Sequence, residues 1–454
     1  MSPRPPTDPE APADDAVASD GAVAPTHACD DEPGTFVLEP TTLAHGPDAV
    51  GRHEGRVVFV PGAAPGDRVR VRIVEQHGNY ARATMLHRCA AGPAYREPPC
   101  PWVGACGGCP WQHVDYATQL ASKERNVLES LKRIAGVVPR RPAPILAAPS
   151  EWAYRHRIRL HTDARRALGY RRPRSHELVE IGHCAIAEPE LSAVLPALRT
   201  LVASLATTID DVAIASNGRG AVVIDATARG RFAERDAATV QAWMQTATGV
   251  AGVGVRGRDW TRRFGETSVT VESSTDAPPA TQRLGSFTQV NPAGNRLLVR
   301  TVVALVDPGA AVLDLFCGAG NLSLPVARVA GSVVGVDQDA GGVADAAASA
   351  RAAGLATVRF ETAAADRFLR RRGLAGATLV ILDPPRTGAA QVVAQLARLE
   401  PPRIVYVSCD PATLARDVRT LATAGYDVDR VQSIDLFPQT EHVETVLEAV
   451  LTAR

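Results

Sequence analysis

Between Arg56 and Ile73 two apolar-rich runs are separated by turn residues, and the second, Arg68–Ile73, alternates strictly between polar and apolar positions. Arg56-Val-Val-Phe-Val60 and Arg68-Val-Arg-Val-Arg-Ile73 are separated by Pro61-Gly62 and Pro65-Gly66-Asp67. A period of two with turn residues between the runs predicts short β-strands. The alternation puts Val69, Val71 and Ile73 on one face and Arg68, Arg70 and Arg72 on the other, as a small barrel with a cationic outer wall requires. Farther on the period lengthens. Tyr116, Leu120, Val127, Leu131 and Ile134 recur at helical spacing until Gly136 stops the pattern. Beyond Trp152 the runs Arg157–His161 and Ala221–Asp225 read as strands mixed with a helix over Ala237–Thr246, an α+β pattern. From about Gly285 apolar strands over Ala311–Leu315, Ser332–Val336, Leu379–Leu382 and Ile404–Val407 alternate with Ala-rich helices, which predicts an α/β, parallel, doubly wound sheet.

The pattern divides the chain into an acidic, Pro- and Ala-rich tail over 1–35, too poor in large apolar groups to fold, a barrel over 36–95, a central α+β domain over 96–284 and the doubly wound domain over 285–454. With 45% apolar and 22% charged residues the composition is that of a globular protein, and no run approaches the roughly 18 apolar residues of a membrane helix. The first residues show neither a basic start nor an apolar stretch, so the expectation is a cytoplasmic, monomeric protein with reduced thiols and no membrane partner. A net charge of zero conceals an asymmetry: Gly51–Glu180 holds 22 Lys plus Arg against 11 Asp plus Glu. A basic front half on an otherwise acidic chain points to a polyanion such as RNA.

Of the eight cysteines, Cys100, Cys106 and Cys109 sit six and three residues apart in a Gly-containing loop, where thiolates can converge on one centre. Cys184 is the best candidate for a fourth ligand. Spacing leaves zinc and an iron–sulfur cluster open. Cys29, in the tail, and Cys89, at a domain edge, read as ordinary unligated thiols, and Cys317 as a small buried residue.

Val312-Leu-Asp-Leu-Phe-Cys-Gly-Ala-Gly-Asn321 is an apolar strand entering a Gly-rich turn, and a second strand ends at Asp337. An acid about 20 residues past such a turn can bond both hydroxyls of a ribose. Asn321-Leu-Ser replaces the third glycine a dinucleotide would prefer, so S-adenosylmethionine fits better than NAD. Two further strands end in Asp383-Pro-Pro-Arg386 and Ser408-Cys-Asp-Pro411, and ligands of open parallel sheets bind beyond such ends. A thiol beside a methyl donor suits one reaction in particular. Uracil C5 is a poor nucleophile, but a thiolate adding to C6 makes the ring an enolate whose C5 can attack a methylsulfonium, after which a base must remove the C5 proton. Glu441, His442 and Glu444 are the candidate bases.

Three sets of motifs carry a resemblance. PGAAPGDRVRVRI resembles a TRAM domain, an OB-like barrel of RNA-modifying enzymes. PCPWVGACGGCPWQ, with GYRRPRSHELVEIGHCAI downstream, is similar to the [4Fe-4S] segment of bacterial 23S rRNA uracil-C5 methyltransferases. DPPR, SCDP, FPQTEHVE and Phe287-Thr-Gln-Val-Asn291 look like the motif set of the RNA m5U methyltransferase family. The resemblance implies a Rossmann-like methyltransferase domain, Cys409 as nucleophile, Glu444 as base, S-adenosylmethionine contacts at Gln289, Phe316, Asn321, Asp337 and Asp383, and a [4Fe-4S] cluster on Cys100, Cys106, Cys109 and Cys184. Between Ala344 and Asp366 the Ala-rich sequence departs from the family, so no adenine-side contact is assigned. The substrate implied is 23S rRNA. The alternatives are tRNA, cytosine in place of uracil, and a non-catalytic RNA-binding protein that keeps the fold.

Overall fold

The computed structural model describes residue 29 and residues 32–271, 280–282 and 288–452. The tail before Cys29 and Phe287 of the FTQVN motif lie outside the described residues. Among the described residues, no helix is long and apolar enough to cross a membrane.

The front of the chain forms a six-stranded sheet in the spatial order Phe36–Leu38, Arg68–Gln76, Tyr80–Ala90, Arg56–Pro61, Asp48–His53, Thr42–Leu43. Val58, Val60, Val69 and Val71 fill its core with Trp111 and Val114 from the following segment. Asp67, fully buried, holds the turn by accepting from the amides of Ala64 and Gly92 and from Arg88 Nε at 2.7–2.8 Å.

The expected cationic wall is corrected in two respects. Arg70 is 2% exposed and donates to the Cys29 carbonyl at 2.6 Å, because the segment before the first strand lies across it. Arg68, Arg72, Arg82 and Arg88 are each paired with an acid of the same unit, Glu39, Glu32, Asp48 and Asp67. The reading of Cys29 and Cys89 as unpaired thiols is also overturned. They form a disulfide with Cα atoms 5.6 Å apart, since the Arg70 bond brings Cys29 to the end of the strand that carries Cys89.

The central unit is a seven-stranded sheet whose middle strands are Arg157–Thr162, Thr208–Ser216 and Val222–Arg229. Helices Leu195–Ser204 and Arg235–Thr246 cover it and contribute Leu198, Leu201, Val202 and Val240 to its core.

The C-terminal sheet has eight strands in the order Val358–Thr362, Ser332–Asp337, Ala311–Leu315, Leu379–Leu382, Arg403–Ser408, Glu444–Leu451, Tyr426–Ile434, Arg141–Leu146. Continuous apolar runs such as Leu379-Val-Ile-Leu382 are buried throughout, as strands covered on both faces must be. Helix Pro292–Val303 packs on one face through Leu298, Val299 and Val302. Helices Ala365–Arg372, Ala390–Leu399 and Pro411–Thr423 pack on the other. The sheet is not wholly parallel: Glu444–Leu451 runs antiparallel to both neighbours. Helix Tyr116–Ser130 and strand Arg141–Leu146, assigned by sequence to the central domain, belong to this layer. Val127 and Leu131 enter its core, and Arg141–Leu146 adds to its edge beside Tyr426–Ile434. The apolar face of that helix is satisfied only there.

Candidate active site

The strand order turns back between Ala311–Leu315 and Leu379–Leu382, and the crevice beyond their carboxyl ends is where an open α/β sheet binds ligands. The turn after Leu315 is built for close approach. Phe316 has φ +69°, and Gly318 and Gly320 have φ +52° and +87°. A Cβ at Gly320 would stand 3.0 Å from Leu324 Cγ as well as straining the backbone. Asp337 fixes the turn: one carboxylate oxygen accepts from Gly318 N at 2.9 Å, the other from Asp339 N at 2.8 Å. Beneath it Asp314 is fully buried and accepts from Ser323 Oγ, and burial pushes its carboxyl up to about 7.

A cavity of about 330 Å³ opens beside this turn, walled by Phe316, Asp337, Gln338, Ala364, Asp366, Thr387 and Arg416. Of the five residues expected around the cofactor, Phe316 and Asp337 line this cavity. Asn321 forms a reciprocal amide pair with Asn295, at 2.8 and 2.9 Å, which ties the Gly-rich turn to helix Pro292–Val303. Gln289 lies on the segment leading to that helix. Asp383, at the end of its strand, is grouped with Glu444 and Cys409. Ala364 and Asp366, in or at the edge of the stretch where sequence assigned no contact, also line this cavity. They follow the strand Val358–Thr362, so the strand-end rule applied to that strand would have found them.

Cys409 follows strand Arg403–Ser408, and Asp410 caps helix Pro411–Thr423 by accepting from Thr413 N at 2.8 Å. Ser408 is in register with Thr445 across the antiparallel pair, so Glu444, one residue earlier, comes opposite Cys409. Glu444 is 3% exposed. Burial, then the charge of Asp383, push its carboxyl well above the usual range while Arg386 opposes them. Asp383 is raised to about 7 by burial. The Cys409 thiol is pushed up to about 11, first by burial, then by Glu444, with Arg386 pulling the other way. His442 is lowered to about 4, chiefly by burial, so its imidazole is neutral at pH 7 and its Nε2 lies 3.0 Å from the Arg386 guanidinium.

The loop that delivers Glu444 is held from below. Gln439, with φ +71°, is buried. Its backbone bonds Trp111 N and Gln119 Oε1, and its side-chain oxygen accepts from Arg96 and Gln119. Lys123, fully buried, donates to Asp435 Oδ1 at 2.7 Å and to the Phe437 carbonyl at 3.0 Å.

Cys100, Cys106, Cys109 and Cys184 line one further cavity with Trp102, Gln112 and Tyr170. Gly107 N donates to the Arg171 carbonyl, and a Cβ there would press on the backbone of Arg171 and Pro173, so the glycine permits the loop to close on the Cys184 hairpin. Burial raises the Cys106 thiol and lifts Cys109 to about 12. Four half-buried thiols lining one cavity fit a site whose missing positive charge is supplied by bound metal.

Against known proteins, residues 280–451 match the tRNA (uracil-5-)-methyltransferase family and residues 39–86 the TRAM domain. The 23S rRNA (uracil(1939)-C(5))-methyltransferase RlmD of Pseudomonas putida is 36% identical over 418 residues, 87% of this chain and 88% of that protein. The chain belongs to the RNA uracil-C5 methyltransferase family. Another such methyltransferase, RlmD of Azoarcus sp., is 35% identical over 91% of this chain and 98% of its own length. An uncharacterised RNA methyltransferase of Thermosynechococcus vestitus is 34% identical over 92% and 98%. The fold is shared with the solved Pyrococcus abyssi tRNA (uracil-54, C5)-methyltransferase, 23% identical with a TM-score of 0.69, over 92% of this chain and all of that one. As an RNA uracil-C5 methyltransferase the chain is S-adenosylmethionine-dependent, and the cavity beside Asp337 lies beyond the strand ends, where open α/β sheets bind ligands.

Proposed function

We propose that this protein methylates C5 of a uridine in 23S rRNA, with Cys409 as nucleophile and Glu444 as base. The observation that carries the assignment is the register of Ser408 with Thr445, which sets a thiol opposite a buried carboxylate beside the cofactor crevice. Cys409 gives up its proton to solvent and its Sγ bonds to C6 of the uracil, the C5–C6 π electrons shifting onto the ring. C5, now enolate-like, takes the methyl group that S-adenosylmethionine supplies as an electrophile. Asp383 and Glu444, buried together and mutually repelling, hold a proton between them and leave one carboxylate free. Removal of the C5 proton by Glu444 expels the thiolate from C6 and restores the pyrimidine.

Phe316, Asp337 and Asp366 are positioned to hold the nucleoside, with Gln289, Asn321 and Asp383 completing the methyl-donor side. The relatives named for 23S rRNA, the TRAM unit and the basic stretch Gly51–Glu180 support RNA as substrate. The central unit adds exposed arginines of its own at Arg171, Arg172 and Arg174, which support phosphate contacts there.

A [4Fe-4S] cluster on Cys100, Cys106, Cys109 and Cys184 would brace the central unit, since the methyl transfer moves no electrons. No three of these sulfurs lie within 4.8 Å of one another, whereas ligands about 2.3 Å from a tetrahedral zinc ion sit roughly 4 Å apart. The wider spacing supports a cluster over a single ion.

Incubating the protein with a 23S rRNA fragment and S-adenosylmethionine should add about 14 Da at one uridine, one methyl group replacing a hydrogen. Cys409→Ala is expected to abolish it, and Glu444→Gln to accumulate a covalent protein–RNA conjugate because methylation proceeds and release does not. Turnover by the alanine variant would overturn the mechanism.

A further inference from the structure

The TRAM unit is more than an RNA tether. The turn between strands Thr42–Leu43 and Asp48–His53 reaches across to the methyltransferase domain, and His45 Nε2 lies 3.5 Å from Asp410 Oδ2, one residue beyond the nucleophile. The turn is pinned at both shoulders: Arg125 donates to the Leu43 carbonyl and Trp111 Nε1 to the Gly46 carbonyl, each at 3.1 Å. Asp410 is itself tightly placed. Its other oxygen caps helix Pro411–Thr423, and its backbone bonds Ser408 Oγ. The contact is therefore made between two rigid elements and fixes their separation.

We propose that His45 is a positioning residue of the catalytic loop, acting through its contact with Asp410 to hold Cys409 in place, so that the barrel completes the active site. The inference rests on the assignment of Cys409 as nucleophile. The charged and titratable groups facing the thiol are Glu444, Arg386, Asp383 and Asp410, and those around His45 are Asp410 and His442. Among the three acids facing Cys409, Asp410 is the one held by a side chain of the barrel. With His45 gone, that carboxylate loses this partner next to a thiol that must ionise, and the loop loses its strut. Another donor in place of the imidazole would keep part of the strut.

Two readouts test this on the full-length protein. In methylation assays His45→Ala should lower kcat about tenfold with little change in KM for RNA, and His45→Gln should recover part of the loss. His45→Ala combined with Asp410→Asn should be no slower than His45→Ala alone, because both changes act on one contact. Independently of methylation, the alkylation rate of Cys409 by iodoacetamide at neutral pH, followed on its own peptide by mass spectrometry, should fall about three- to tenfold in His45→Ala, as for a half to one unit rise of a neighbouring thiol, and return toward the wild-type rate in the double variant. An unchanged kcat with an unchanged alkylation rate would overturn the proposal, as would additive losses in the double variant. Normal alkylation effects in a protein that methylates no RNA would refute the function proposed above and leave the His45 contact standing.

Discussion

Replacing Lys123 by methionine removes one charge from a place where the partner cannot reach water. Lys123 and Asp435 are both 0% exposed, and the ammonium is the cation within reach of Asp435 Oδ1, at 2.7 Å. Methionine keeps most of the side-chain volume, so the loss is electrostatic rather than a cavity. A stranded buried carboxylate typically costs about 3–5 kcal/mol. It can escape by taking up a proton, which costs about 1.4 kcal/mol for each pH unit above the ordinary carboxylate value near 4 and so caps the penalty near 4 kcal/mol at pH 7. The Phe437 carbonyl loses one donor but still accepts from Thr440 N and Oγ1, so it adds little to the loss. We expect Lys123→Met to be about 3–5 kcal/mol less stable at pH 7 in urea unfolding followed by circular dichroism. The sign with pH follows: protonation of the stranded acid restores the folded state, so the deficit should shrink to about 1–2 kcal/mol at pH 5. Adding Asp435→Asn should recover most of the deficit at pH 7, since asparagine can still accept from Phe437 N. A deficit below about 1 kcal/mol at pH 7, or one that does not change with pH, would refute the claim that this pair is charged and essential to the loop carrying Glu444.

The rate should also rise with pH. Asp383 stands near 7, Glu444 is raised with it, and Cys409 lies near 11, so both the free base and the thiolate grow as pH climbs. kcat/KM is expected to increase from about pH 6 to pH 9, and a flat or falling profile would contradict the assignment. Cys184→Ser should lower the iron content of anaerobically purified protein and its visible absorbance together, while the same change at Cys317, buried against Gly335, should leave both intact. Iron retained at wild-type stoichiometry in the Cys184 variant would remove it from the ligand set.

Much of the chemistry was legible in the chain. The strand Ala311–Leu315 with its glycine turn, Asp337 at the end of the next strand, and the polar ends at Asp383 and Cys409 announce a nucleoside crevice, because local alternation fixes where apolar strands stop and the parallel topology fixes what faces beyond them. The helical period from Tyr116 to Ile134 was equally plain, ending at Gly136 with φ +70°. Its destination was not. A helix shows that it has an apolar face, and only packing shows that Val127 and Leu131 bury it in the methyltransferase layer rather than in the unit beside them in sequence.

The same limit explains the barrel's arginines: alternation assigned Arg70 to the outside, but which surface is outside depends on a segment that lies across it, and the pairings to Glu39, Glu32 and Asp48 join strands distant in the chain. His45 gave no local signal at all, being one histidine in a polar turn. What the sequence determined was period, turn chemistry and the identity of the reactive groups, all of which depend on neighbours a few residues away. Register across the sheet, burial, and contacts between separate domains were decided by tertiary structure, because each is a property of pairs of segments whose distance along the chain carries no record of their distance in space.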